Sequence, residues 1–107
     1  MELKSLLQKA IEVREKYTEL EMKKYGKKRT NSQIAQGFVG DVGDLMKLVM
    51  AKEGIREIEN VDEKLRHELA DCLYSIFVLA DKYDIDLEKS FIDTMNELKE
   101  RIAKHDG

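Results

Sequence analysis

The chain has no proline, no tryptophan and only six glycines. Proline removes a backbone donor and breaks helix interiors, so without it long periodic segments can stay helical, and abundant Lys, Glu, Leu and Ala favour that outcome. An all-α fold is expected. The single cysteine, Cys72, excludes a disulfide framework within the chain. No apolar run reaches the roughly 18 to 20 residues that a bilayer span requires. The opening MELKSLLQKAIEVREK lacks the apolar core of a signal peptide, so the cytoplasm is the expected compartment and no membrane contact is expected. Nor is there a surplus of positive charge. The 19 basic and 22 acidic residues are mixed along the chain and leave a net charge of -3. Without a basic stripe to displace counterions, duplex nucleic acid is not an expected partner.

What is present is helical periodicity. At 107 residues the chain reads as a single domain, 1–107, too small to finish a large core alone. A four-helix bundle completed by oligomerisation is therefore expected. The first helix should run from about Glu2 to Tyr25, with Leu3, Leu6, Leu7, Ala10, Ile11, Tyr17 and Leu20 on one face. GKKRTNS breaks it. Thr30 and Gln33 have capping-box spacing and start a second helix that continues towards Lys52, with Ile34, Phe38, Val42, Leu45, Met46 and Val49 as its stripe. Gly54 closes it. Asn60 and Glu63 repeat the capping-box spacing for a third helix reaching Tyr83, and Asp86 can cap a fourth that carries Phe91, Ile92, Met95, Leu98 and Ile102.

The third helix is apolar around most of its circumference between Leu69 and Ala80, leaving Glu68, Asp71 and Ser75 together on one narrow strip. So enclosed a helix should be central. Tyr74 and Val78 lie away from the Leu69, Leu73, Ile76 and Ala80 stripe, and they are expected to meet a second subunit.

Acid-x-x-acid spacing is common here, and most such pairs are solvated helix faces. Two pairs differ. With Ile34 at zero on a helical wheel, Asp41 falls about 20° away, inside the apolar stripe, and Asp44 sits at its edge. Gly37, Gly40 and Gly43 on the same helix leave room beside the carboxylates or allow a close helix crossing. If the second and third helices form an antiparallel hairpin, Asp41 should lie level with Asp71 and Asp44 level with Glu68, because both pairs of positions average to 56. Four carboxylates in one partly apolar groove would raise one another's pKa values and weaken the fold unless a cation neutralised them. Oxygen ligands without His or Cys suit Mg²⁺ or Mn²⁺ rather than zinc. The Glu-x-x-His pairs of di-iron bundles are missing. Hydrolysis of a phosphate ester or anhydride is the leading chemistry.

The stretch TNSQIAQGFVGDVGDLMKLV, a connector, and then HELADCLYSIFVLADKYDIDLEKSF resembles the MazG-like all-α nucleotide pyrophosphohydrolases, particularly their dCTP pyrophosphatase branch. The landmarks VGDVGDL and ELADCLY carry the resemblance, which covers roughly Thr30 to Ile102. It implies magnesium-dependent conversion of a nucleoside triphosphate to monophosphate and pyrophosphate, in nucleotide-pool house-cleaning, by a homo-oligomer, with a tetramer expected over a dimer. Asp41 and Asp44 match the first acidic pair, where Glu is usual, and Glu68 and Asp71 match the second. Each Asp shortens the reach by one methylene, about 1.5 Å. Gly40 stands where some relatives have a Glu, and the family's Lys and Asn near Thr94 and Leu98 are missing.

Lys27, Lys28 and Arg29, beside a helix N-terminus, are candidates for the triphosphate. Phe38 and Tyr74 are candidates for stacking on a base. His67 projects away from Glu68 and reads as a surface neighbour. Two alternatives stand beside this reading: a phosphoribosyl-ATP pyrophosphohydrolase-like enzyme, and a helical nucleotide-binding oligomer that has lost catalysis.

Overall fold

The computed structural model describes residues 2–106. It comprises α1 (Leu3–Tyr25), α2 (Asn31–Lys52), α3 (Val61–Lys82) and α4 (Leu87–Asp106), and no strand occurs among the described residues. None of these helices is long and apolar enough to cross a membrane.

Local chemistry sets the helix ends. Gly26, at φ +72°, takes the left-handed turn that ends α1, and its N–H donates to the Met22 carbonyl at 3.0 Å. The capping box at α2 forms as its spacing predicts. The Gln33 N–H donates to Thr30 Oγ1 at 3.2 Å, and the Thr30 N–H donates to Gln33 Oε1 at 2.8 Å. Asn60 departs from the expected pattern. It adopts φ 55°, ψ 40° and makes no side-chain cap bond, so no capping box forms with Glu63. An N-cap requires extended backbone to aim its side chain at the first turn, and a left-handed residue cannot do this. Lys52 takes part in the hairpin's closure instead, its Nζ lying 2.6 Å from Asp62 Oδ1. That hydrogen bond, with the lysine charge, holds the Asp62 carboxyl below its ordinary pKa. Asp86 does cap α4, accepting the Lys89 N–H at 3.1 Å.

α2 and α3 pack as the expected hairpin, and α1 lies against α3. The core is small: Ala10 from α1, Ile34 and Leu48 from α2, and Cys72, Phe77, Val78 and Ala80 from α3. The expectation for the outer face of α3 is reversed. Val78, expected at a subunit contact, is the most enclosed side chain at 1% exposure, and Tyr74 is half-buried. Leu69, Leu73 and Ile76 are the exposed ones. α1 lies over the other face, where Arg14 and Glu21 line a cleft with Tyr74, Ser75 and Val78. α4 packs far less. Leu87 shares a groove with Leu3, Leu7 and Phe77, but every residue from Glu88 to His105 is exposed, including the whole predicted stripe.

Candidate functional site

The hairpin brings together three of the four carboxylates singled out on the helical wheel. Asp41 and Asp44, one turn apart on α2, and Glu68 on α3 each place an oxygen within 4.8 Å of the others. Asp41 and Glu68 are half-buried while Asp44 is exposed. Glu68 Oε1 is buried with no hydrogen-bond partner. Leaving such an oxygen unsatisfied costs on the order of 1–3 kcal/mol, and more if it is charged. Burial pushes the Glu68 carboxyl above its ordinary pKa, and the charges of Asp41, Asp71 and Asp44 add to the effect. These residues fit a hard divalent cation on two counts: an all-oxygen donor set, and an orphaned carboxylate oxygen that a cation would satisfy.

Asp71 stands outside the three-residue grouping. Its Oδ2 lies 3.2 Å from His67 Nε2, one turn back on α3. His67 is exposed, as its wheel position predicts. The thiol of Cys72 is buried beside the acids, and burial together with the Asp41, Glu68 and Asp71 charges pushes it up, away from the reactive thiolate.

A cleft opens on each side of the acids. The smaller, about 230 Å³, lies among α1, α2 and α3 and reaches Asp41 and Asp71. The larger, about 620 Å³, lies at the connector end of the hairpin and reaches Asp44 and Glu68. Arg29 and Tyr74 line the smaller cleft. The Tyr74 hydroxyl is buried beside Arg14; burial raises its pKa, while the Arg14 charge and the guanidinium's approach to the hydroxyl oppose the rise. Lys28 lines a separate groove with Asp81 and Lys82, away from the acids. Lys27 and Phe38 line neither cleft beside the acids. Phe38 is half-buried on α2.

Arg14 and Glu21 line the smaller cleft too, although neither was singled out in the sequence. Arg14 is buried and pairs through Nη2 with Glu21 Oε1, which also accepts the Arg29 N–H at 3.1 Å. Burial works to raise the Glu21 carboxyl, but the Arg14 hydrogen bond, the Arg29 amide and both guanidinium charges carry it below its ordinary value. The Arg29 guanidinium in turn donates to the Gln33 carbonyl at 3.0 Å. A Cβ at Gly37 would stand 3.2 Å from that guanidinium, so this glycine makes room for Arg29. At Gly40 and Gly43 a Cβ would meet nothing within 4 Å, so no close helix crossing occurs there within the chain. A signal for the Arg14 pair exists in the sequence: Leu3, Leu7, Ala10, Arg14, Tyr17 and Glu21 alternate by four and three, placing both charges on the apolar face of α1.

No curated protein and no solved structure matches the chain. The profile of the MazG nucleotide pyrophosphohydrolase domain matches residues 30–105, from the Thr30 cap through both acid-bearing helices and nearly all of α4. With most of its length matched, the chain belongs to the MazG nucleotide pyrophosphohydrolase family.

Proposed function

We propose that the protein hydrolyses a nucleoside triphosphate to the monophosphate and pyrophosphate with Mg²⁺, for which Mn²⁺ can substitute. One observation carries the reading: in a chain of this family, three carboxylates converge and one of them, the half-buried Glu68, keeps an oxygen without a partner. Asp41, Asp44 and Glu68 would hold the cation, with Asp71 beside them as the fourth acid of the motif. When bound, Mg²⁺ supplies charge that offsets the phosphate oxygens and makes water easier to deprotonate. The remaining work falls to the chain. A water oxygen bonds to the α-phosphorus, the bond from that phosphorus to the α–β bridging oxygen breaks, and the bridging oxygen leaves with the electron pair as part of pyrophosphate. The water's proton passes to the carboxylate set and then to solvent. Arg29, fixed by Gln33 and Glu21, and Tyr74 orient the substrate from the smaller cleft.

The family name supports nucleotide pyrophosphate chemistry in general; the triphosphate, the magnesium requirement and the four-acid assignment are the proposal. We place the protein in solution as a homo-oligomer, a tetramer in preference to a dimer, because Leu69, Leu73 and Ile76 on α3 and the α4 stripe are exposed in the single chain. Sedimentation at micromolar concentration tests this, and a compact monomer would refute it. Nucleotide-pool house-cleaning is the role that such an activity serves.

The test of function is pyrophosphate release from a panel of canonical and damaged ribo- and deoxyribonucleoside triphosphates, with Mg²⁺, Mn²⁺ or EDTA. Metal-dependent turnover of a subset is the expected result. Saturable nucleotide binding without product would favour a non-catalytic oligomer, a reading to which the two Asp residues in the first pair lend weight.

A further inference from the structure

The α2–α3 hairpin has two faces. One carries the acids, their two clefts and α1. The other is apolar and open to solvent. At 100° per residue, Ala35, Val39, Val42, Gly43, Met46 and Met50 share a sector of α2 about 60° to 180° from Ile34, and Asp41, Asp44 and Lys47 all fall outside it. In a chain of which 38% is charged, this sector runs for about 24 Å of helix without one charged residue. Val39 is 69% and Met46 58% exposed. Beside them on α3 stand the exposed Leu69 and Leu73, level with Gly43 and Val39 because each pair of positions averages to 56.

The α2 strip is complementary to itself. Val39 precedes the Val42–Gly43 peptide by as many positions as Met46 follows it, and Ala35 and Met50 are matched in the same way. An antiparallel copy related by a two-fold axis at that peptide therefore sets Val39 against the partner's Met46 and Ala35 against the partner's Met50, a small side chain opposite a large one in each case. The strip has no charge to call for an acidic or basic partner, and its centre is a glycine. A Cβ at Gly43 or at neighbouring Gly40 would meet nothing within 4 Å, whereas the missing Cβ of Gly37 makes room for Arg29. Glycine weakens a helix relative to alanine, and within the chain nothing uses the room at Gly43; a second backbone crossing there would. Covering this face on two copies, with Leu69, Leu73 and Ile76 at its side, removes on the order of 1,200 Å² from water, enough for a stable pair.

Building on the homo-oligomer reading, we propose that two copies pair through the backs of their acid-bearing helices, α2 crossing the partner's α2 antiparallel at Gly43. The contact is isologous, so it closes on itself at two chains, and a tetramer needs a second contact, which the α4 stripe supplies. The acids lie on the opposite side of each α2, so both sites of the pair face outward.

The experiment is sedimentation of the full chain and its variants, joined to cysteine cross-linking. Met46→Glu should halve the mass at micromolar concentration with helicity unchanged, and Met46→Leu should preserve it. Gly43→Ala separates a contact from a merely local role, because its two effects have opposite signs: association weakens about tenfold, while melting of the dilute chain rises by about 4–8 °C as the helix gains an alanine. Under mild oxidation Val42→Cys, beside the axis, should cross-link to itself. Val39→Cys should not, since its copies lie about 10 Å apart along the helices, but it should cross-link to a Met46→Cys chain mixed with it. The unaltered chain, whose one thiol is buried, is the control. An oligomer whose mass is indifferent to Met46→Glu, or Val39→Cys cross-linking to itself as readily as Val42→Cys, would overturn the α2 crossing and leave the oligomer standing. Cross-linking of Val42→Cys to Met95→Cys in preference to itself would overturn it too, by giving this face to α4 of another copy. A monomeric unaltered chain would sink both. None of these readouts uses turnover, so they stand apart from the test of the enzyme.

Discussion

The α2–α3 hairpin and α4 are both amphipathic, yet the first is packed and the second is almost bare. On the hairpin, Ile34, Leu48, Cys72, Phe77, Val78 and Ala80 are buried and Asp41 and Glu68 half-buried; on α4, Phe91, Ile92, Met95, Leu98 and Ile102 form an equally regular stripe that stays exposed among the described residues. Periodicity thus identifies the face a helix must cover and says nothing about whether the cover is in the same chain. The hairpin bears both acid pairs, so its integrity should govern chemistry. α4 should govern association.

The sharpest way to break this division is at the acids. Asp41→Asn, Asp44→Asn and Glu68→Gln should each lower metal-dependent turnover on the order of a thousandfold, about 4 kcal/mol in the barrier, while circular dichroism stays unchanged. Asp71→Asn should cost less, since Asp71 stands outside the three-residue grouping and pairs with His67. Near-normal turnover in two of the first three would end the assignment. Next comes Arg14→Ala, which leaves Glu21 enclosed without its partner and should lower the unfolding free energy by about 3 kcal/mol. Urea titration checks this; a loss below about 1 kcal/mol would show that the pair contributes little.

Metal should act on the hairpin by mass action. Free Mg²⁺ at a hundred times its Kd should add about 2.7 kcal/mol of stability, with NaCl at matched ionic strength giving no such rise. A melting temperature indifferent to Mg²⁺ and Mn²⁺ would count against a cation site. Acid should act through Glu21. Its folded pKa is depressed, so its contribution is complete above the ordinary glutamate value and is lost as pH falls through the folded one. The drop in stability on acidification should therefore shrink in Glu21→Gln, and an unchanged pH profile would contradict this. The smallest intramolecular effect belongs to α4. Ile92→Ser with Leu98→Ser should change unfolding of the dilute chain by less than about 0.5 kcal/mol but shift sedimentation towards the monomer. A large loss of stability at high dilution would show that α4 packs on its own chain.

Much of this architecture could be read from spacing. The absence of proline, the stripes, the Thr30 cap and the two glycine stops place all four helices, and a charge inside an apolar stripe picks out Asp41. The same test applied to α1 would have found Arg14 and Glu21, whose positions continue its apolar face. Acid-x-x-acid spacing does not lead to them, because neither belongs to such a pair. Asn60 departs from its cap spacing because spacing reports side-chain chemistry but not backbone handedness. Rotation of α3 is not legible either: both of its faces are apolar, and spacing within one helix does not say whether a neighbouring helix will cover Val78 or Leu73. Lys27 and Phe38 neighbour the site in sequence but line neither cleft beside the acids, because proximity along the chain fixes neither direction nor depth.

The three clustered acids all belong to one hairpin, and its two helices are joined by a connector that ends α2 at Lys52 and begins α3 at Val61. Bringing them together closes a loop of fewer than 30 residues, from Asp41 to Glu68, and needs neither α1 nor α4. In kinetic terms this is assembly at low contact order, the kind that forms early and fast. The expected outcome is that the hairpin pairs early in folding and that Mg²⁺ speeds the step, which stopped-flow refolding with and without the ion would check.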